Sequence, residues 1–274
     1  MTPAQPAPGA VARAAMHAAV RAVVAGGTSD RARAAIAGAQ ADLWACDRLS
    51  DAAEHAPEAA AVAPYLVPRL LLDAVDGLTP ALGPLLLSPD ESAAEYRHHV
   101  RVLAALTGAP GAAGRMNAVA ARLPFLAACD DRLAAPLTSV RTSALAPPLG
   151  TLVQALEEER RAVALRAIDL ATPDEAEAGS RRAESWGLAD RYALLTAAAA
   201  CLDEWRGPAG PRRRGAGSRA CLIGALSRIA AGLCLPVRVP GREWNRPAFD
   251  AVLAAHTPQD PRPRPVRHLL TRAA

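Results

Sequence analysis

The residues in this chain that could do chemistry are few and far apart. Arg69 and Asp73 sit four apart inside APYLVPRLLLDAVDGLTPALG, residues 63–83. At that spacing opposite charges pair along one helix face, or each reaches a ligand or a neighbouring subunit. Glu95, His98 and His99 offer a carboxylate and two imidazoles, with Glu95 and His99 on one face. A zinc site needs three or four ligands, and no second cluster accompanies these, so solvated or interface histidines are the simpler reading. Asp130 and Asp131 follow Cys129 as an acidic pair suited to a helix end. Arg212–Arg214 and the arginines of the tail could touch phosphates, but no aromatics interleave with them, and a solvated run is expected. There is no G-x-S-x-G elbow for a nucleophilic serine, no P-loop and no G-x-G-x-x-G stretch.

Composition narrows the class further. The chain has 274 residues and is 51% apolar, enough for one large or two small globular domains. Much of that share is alanine and only 3% is aromatic, so the core is expected to be closely packed helices with modest burial per residue. Lysine is absent and all 31 basic residues are arginine, a codon bias of a GC-rich genome. The formal charge of +4 therefore argues little for a nucleic-acid partner, since 27 acids are interspersed. Five cysteines (46, 129, 201, 221, 234) form no C-x-x-C pair. With no secretory leader at MTPAQPAPGA, they fit buried or incidental thiols in a reducing cytoplasm. No apolar run is long enough for a membrane span.

The elements that would position these residues read as helices throughout, with no strand alternation and no repeat of solenoid length. Residues 1–10 are Pro-rich and read as disordered. A first helix is expected over Val11–Ala25, ended by Gly26–Gly27. Thr28, Ser29 or Asp30 then caps a second over Arg31–His55. The third begins after Pro57, is bent at Pro68, closes at Gly83–Pro84 and reads as the central post of the bundle. Ser88-Pro89-Asp90-Glu91 starts a fourth with a capping hydroxyl, and a fifth runs over Ala112–Cys129. Beyond a connector at 130–147, Leu149–Leu170 is amphipathic, and Thr172-Pro173-Asp174-Glu175 is a further start signature. Leu188, Tyr192, Leu195, Ala199 and Leu202 then form a 4-3-4-3 stripe. Residues 207–218, GPAGPRRRGAGS, read as a linker, followed by helices over Arg219–Leu233 and Pro247–His256 and a loose tail.

This order of elements resembles the C-terminal helical domain of acyl-CoA dehydrogenases, nearest to long, divergent homologues from actinobacterial natural-product clusters. The phrases that carry the likeness are AAVRAVVAGG (18–27), AGAQADL (37–43), YLVPRLLLDAVDGLTPALG (65–83) and LADRYALLTAAAACLDEWR (188–206). The resemblance implies an all-α up-down bundle over 11–129, a helical extension over 130–206, and a final helical part over 219–274. It also implies a flavoprotein ancestry: an FAD-dependent oxidoreductase acting on acyl-CoA or acyl-carrier-protein thioesters, of which this chain holds only the last part. Matched position by position, Arg21 keeps the arginine that meets the FAD pyrophosphate, with Val24 where an aromatic belongs and Ala25 or Gly26 at the glycine. Gly83 keeps one glycine of the turn against the adenylate portion, while Pro80 stands where the glutamine belongs. The Arg-Asp pair reads Arg101-Val102. The turn that supplies the catalytic base falls on or near Pro110-Gly111-Ala112, and no carboxylate lies between Arg97 and Cys129. Proton abstraction needs a positioned base, so no catalytic residue is assigned. The cofactor contacts implied are Arg21, Gly26 and Gly83, with no metal. The partners implied are a second copy of the chain or a complementary dehydrogenase subunit.

Overall fold

A computed structural model describes residues 6–87, 89–108, 111–124, 137, 145, 147–171, 178–206 and 216–256. Every regular element among them is helical, as expected of an all-α chain. Helix α1 spans Pro8–Gly26. It begins inside the stretch read as disordered, because proline at a first helical position gives up only an N–H that has no partner there anyway. Helix α2 spans Asp30–Ala53, and of the three candidate caps it is Ser29 that acts, its hydroxyl accepting from the Ala32 N–H at 3.1 Å. Helix α3 spans Pro57–Asp76 and continues through Pro64 and Pro68.

Helix α3 stops seven residues short of the expected Gly83. Pro80 has no N–H for the Asp76 carbonyl, and its ring would collide with that turn. The chain instead restarts as the short helix α4, Thr79–Leu82, and turns at Gly83, whose φ of +43° favours glycine. Helix α5 spans Glu91–Thr107 and is capped by the Asp90 carboxylate, which accepts from the N–H groups of Ser92 and Ala93. The cap is thus Asp90 rather than the hydroxyl of Ser88, which lies outside the described residues. Helix α6 spans Ala112–Ala120, shorter than read, and the remainder of that stretch from residue 125 lies outside the described residues.

Four longer helices complete the fold: α7 at Leu149–Ala171, α8 at Ala178–Arg206, α9 at Ala216–Gly232 and α10 at Asn245–His256. Residues 216–218, read as linker, belong to α9. Residues 1–5, Asp130–Asp131, most of the connector at 130–147, Thr172–Glu175, residues 207–215 with Arg212–Arg214, and the tail from Thr257 lie outside the described residues. The stripe on α8 is buried as its spacing predicts, from Leu188 to Leu202.

The helix at the centre is α2, not α3. Helices α1, α3, α4, α8, α9 and α10 all pack on α2, so segments from both sides of residue 129 share one core. Successive α2 residues are buried whichever way they point: Ile36, Ala37, Gly38 and Ala39, then Ala41, Asp42 and Leu43. Small side chains make this possible, because the distance between packed helices is set by the residues at the contact. A Cβ on Gly224 of α9 would stand 2.7 Å from the Trp244 ring and 3.1 Å from the Ala41 Cβ, which shows how closely α9 approaches α2. Helix α3 packs on α1, α2, α5, α6 and α8 but keeps an exposed strip that includes Ala60, Pro64, Asp73 and Asp76.

Truncating the axis should therefore cost far more than truncating the surface. Ile36→Ala, at a fully buried site, is expected to lose about 2–5 kcal/mol in urea unfolding. Gly224→Ala is expected to lose about 1–3 kcal/mol through overpacking, and Leu87→Ala, at a side chain 90% exposed, to stay within about 0.5 kcal/mol of the parent. Equal losses at Ile36 and Leu87 would contradict this arrangement.

Candidate functional site

Arg69 and Asp73 do not pair with each other. Arg69 Nη1 instead donates to Asp190 Oδ1 on α8 at 2.5 Å and to the Tyr65 hydroxyl at 3.3 Å. Tyr65 donates to the same Asp190 oxygen at 2.7 Å, so α3 and α8 are joined by a three-residue polar clasp. Burial, then the bond to Asp190, pushes the Tyr65 phenol above its ordinary range. Asp73 lies one turn further along α3 and faces a different group.

That group is a cleft of about 220 Å³ between α2, α3, α8 and α9. Its polar lining is Asp42, Arg69, Asp73 and Arg228, and Leu70, Leu194 and Ile229 supply the apolar walls. Asp42, on the central helix, is only 4% exposed. Arg228 Nε donates to its Oδ1 at 2.5 Å, whereas Oδ2 is sheltered from solvent and has no hydrogen-bond partner among the described residues. Gly38 lies one turn before Asp42, where a Cβ would stand 3.2 Å from Arg228 Nη1. Glycine there leaves room for the guanidinium to lie along α2 and reach the carboxylate. Burial raises the Asp42 carboxyl above its usual range, the hydrogen bond and charge of Arg228 hold it back, and Asp73 pushes it further up. For Arg228 burial works against the charge, but Asp42 outweighs it and the guanidinium is held more firmly charged.

A second, shallower groove of about 380 Å³ runs between α2, α9 and α10 past Trp44, Cys221 and His256. At its end the rings of His17 and His256 meet edge to face with centroids 3.9 Å apart. Burial and the facing His256 lower the His17 imidazole below its ordinary value. Cys46, Cys201 and Cys221 are buried, and burial pushes the last two thiols up to about 12 and about 11, which removes thiolate reactivity at neutral pH.

The residues assigned by resemblance are placed elsewhere. Arg21 forms an ion pair with Glu95 of α5, and His99 stands 3.6 Å from the same carboxylate, so this acid serves the arginine before it serves an imidazole. No group of three acidic, histidine or cysteine side chains that could hold a metal occurs among the described residues. Gly26 is the last residue of α1, and Gly83 lies in the turn after α4, with open space where a Cβ would be. Arg21, Gly26 and Gly83 line neither cleft. Both members of the Arg21–Glu95 pair are about half exposed, so an anion approaching Arg21 would meet the Glu95 carboxylate as well.

The chain matches no family model, no curated protein and no solved structure. The likeness to acyl-CoA dehydrogenases therefore rests on its sequence phrases. The residues that spacing missed, Asp42, Arg228 and Asp190, had one local signal: Asp42 is a lone acid in the small-residue run AGAQADL.

The raised Asp42 carboxyl fixes the sign of a pH effect. The fold takes up a proton more readily than the unfolded chain, so this group's contribution is fully present below the ordinary aspartate range and is lost as pH rises through the raised folded value. Asp42→Asn is expected to remove that fall, giving a flatter stability profile than the parent from about pH 4 upward. Arg228→Ala is expected to raise the Asp42 titration midpoint seen by carboxyl ¹³C NMR and to lower stability by about 1–3 kcal/mol, the partial exposure of the arginine keeping the loss moderate. An unchanged midpoint in Arg228→Ala would contradict the pairing.

Proposed function

We propose that this chain is a non-catalytic helical scaffold of acyl-CoA dehydrogenase type, acting by binding rather than by turnover. The observation that carries the reading is the commitment of Arg21 to Glu95, which turns a cofactor-facing position into a link between α1 and α5. The stretch where the family places its base is consistent with it. Gly111, at φ +111°, leads into α6, and no acid occurs from residue 98 to residue 129. The reading includes self-association, supported by Leu165 and Ile168, which stand three apart on α7 and are 65% and 51% exposed.

A second reading keeps the enzyme: an acyl-thioester dehydrogenase completed by a complementary dehydrogenase subunit that supplies the base. It is favoured by Gly83, whose open, positive-φ turn is the conformation a close-approaching ligand would require.

Visible spectra separate the two. The scaffold reading expects purified protein to be colourless, to leave the fluorescence of added FAD unchanged, and to stay so when mixed with the complementary dehydrogenase domains. A flavin band in the mixture that Arg21→Ala abolishes would establish the second reading, and a yellow chain that oxidises an acyl thioester unaided would end the first. Light scattering should show an oligomer that the pair Leu165→Glu and Ile168→Glu converts to monomer. A parent that is monomeric at high concentration would remove self-association from the account.

A further inference from the structure

The cleft between α2, α3, α8 and α9 is lined by charges of both signs in equal number, Asp42 and Asp73 against Arg69 and Arg228. Asp42 is already engaged: one oxygen takes the Arg228 Nε–H and the other is shut off from solvent. Asp73 differs. It is exposed and lines the cleft, yet it accepts no hydrogen bond and joins no ion pair among the described residues. Neither arginine of the lining comes within ion-pair reach of it. Arg69 commits only Nη1, to Asp190 and Tyr65, and Arg228 only Nε, to Asp42. Each guanidinium keeps further N–H groups, and the two side chains are 46% and 39% exposed. Reachable donors and a reachable acceptor thus border one cleft without closing on each other. Leu70, Leu194 and Ile229 supply its apolar walls. The volume of about 220 Å³ is below the roughly 300–1,000 Å³ of sites for drug-sized ligands, so the occupant is small.

We infer that this cleft binds a free α-amino acid with a small branched apolar side chain. Its ammonium donates to Asp73, its carboxylate accepts from Arg228, and its side chain lies against Leu70, Leu194 and Ile229. Arg228 is the carboxylate's partner rather than Arg69, which already makes two bonds through Nη1. Ligands of a single sign fit less well. A simple cation would meet two arginines and a simple anion two carboxylates, whereas a zwitterion matches a lining whose charges sum to zero. Inside a peptide the same residue would lack both charges, so the free amino acid is the ligand. The site stands whether or not the scaffold reading does, since it uses none of Arg21, Gly26 or Gly83.

The test is a titration of the whole chain with L-valine, followed through the methyl resonances of Leu70, Leu194 and Ile229. Isobutylammonium chloride and sodium isovalerate, which carry the same branched carbons with only one of the two charges, are the comparators at equal ionic strength. Saturable shifts at those methyls are expected for valine, with each comparator about tenfold weaker or silent. Asp73→Asn, at the exposed mouth, is expected to weaken valine binding about threefold with an unchanged melting temperature. Arg228→Lys keeps a charge for Asp42 but loses the planar fork, and is expected to weaken binding about fivefold. Where that variant loses the fold, Asp73→Asn decides alone. The site is overturned if valine produces no saturable shift, if a comparator binds as tightly, or if either folded variant binds valine like the parent.

Discussion

The middle of α2, around residues 36–43, is enclosed by neighbouring helices, so a polar group placed there finds protein rather than solvent. Its alanines and Gly38 let six other helices come close, so dispersion contacts over a long buried surface replace the large aromatic payload that this composition lacks. Asp42 sits in the middle of that surface. A carboxylate there has to be solvated by protein, and Arg228, 186 positions away in sequence, supplies the donor. Gly38 and Gly224 belong to the same arrangement: one leaves space for the guanidinium, the other for Trp244 beside the α2–α9 contact.

Local sequence rules recover what is local. Ser29 as a cap, the acid-rich start of α5 and the buried stripe of α8 depend on a few neighbouring residues, and each is found where its pattern places it. The centre of the fold is not local. A Leu-rich stretch draws attention to α3, yet enclosure depends on how closely neighbours can approach, and that favours the small-residue helix. The end of α3 was partly legible, since Pro80 disfavours a continuous helix to Gly83, although α3 does accommodate Pro64 and Pro68. The site was hardly legible: the partners of Arg69 and Asp42 come from 121 and 186 positions away, and i, i+4 spacing had pointed Arg69 at Asp73 instead.

The polar cleft is where the fold departs from its own logic. Among the described residues only a few charged side chains are buried, Asp42, Glu58 and Glu157, and Asp42 and Glu58 each keep one oxygen without a donor. A buried ion pair is weak support for stability, because filling the same volume with apolar groups is often as good or better. Retaining it at a cavity is the kind of local inconsistency expected at a functional position. By contrast Arg21 with Glu95 is an ordinary half-exposed link between α1 and α5.

The claim on which all of this depends is that α2 is the axis of a single cooperative unit. Native-state hydrogen exchange, read amide by amide, tests it most directly. The amides of residues 36–49 should exchange last, through global unfolding only, with a denaturant dependence equal to that of the whole chain. If they exchange through smaller openings while α3 or α8 remains protected, α2 is a peripheral helix and the account built on its enclosure is wrong.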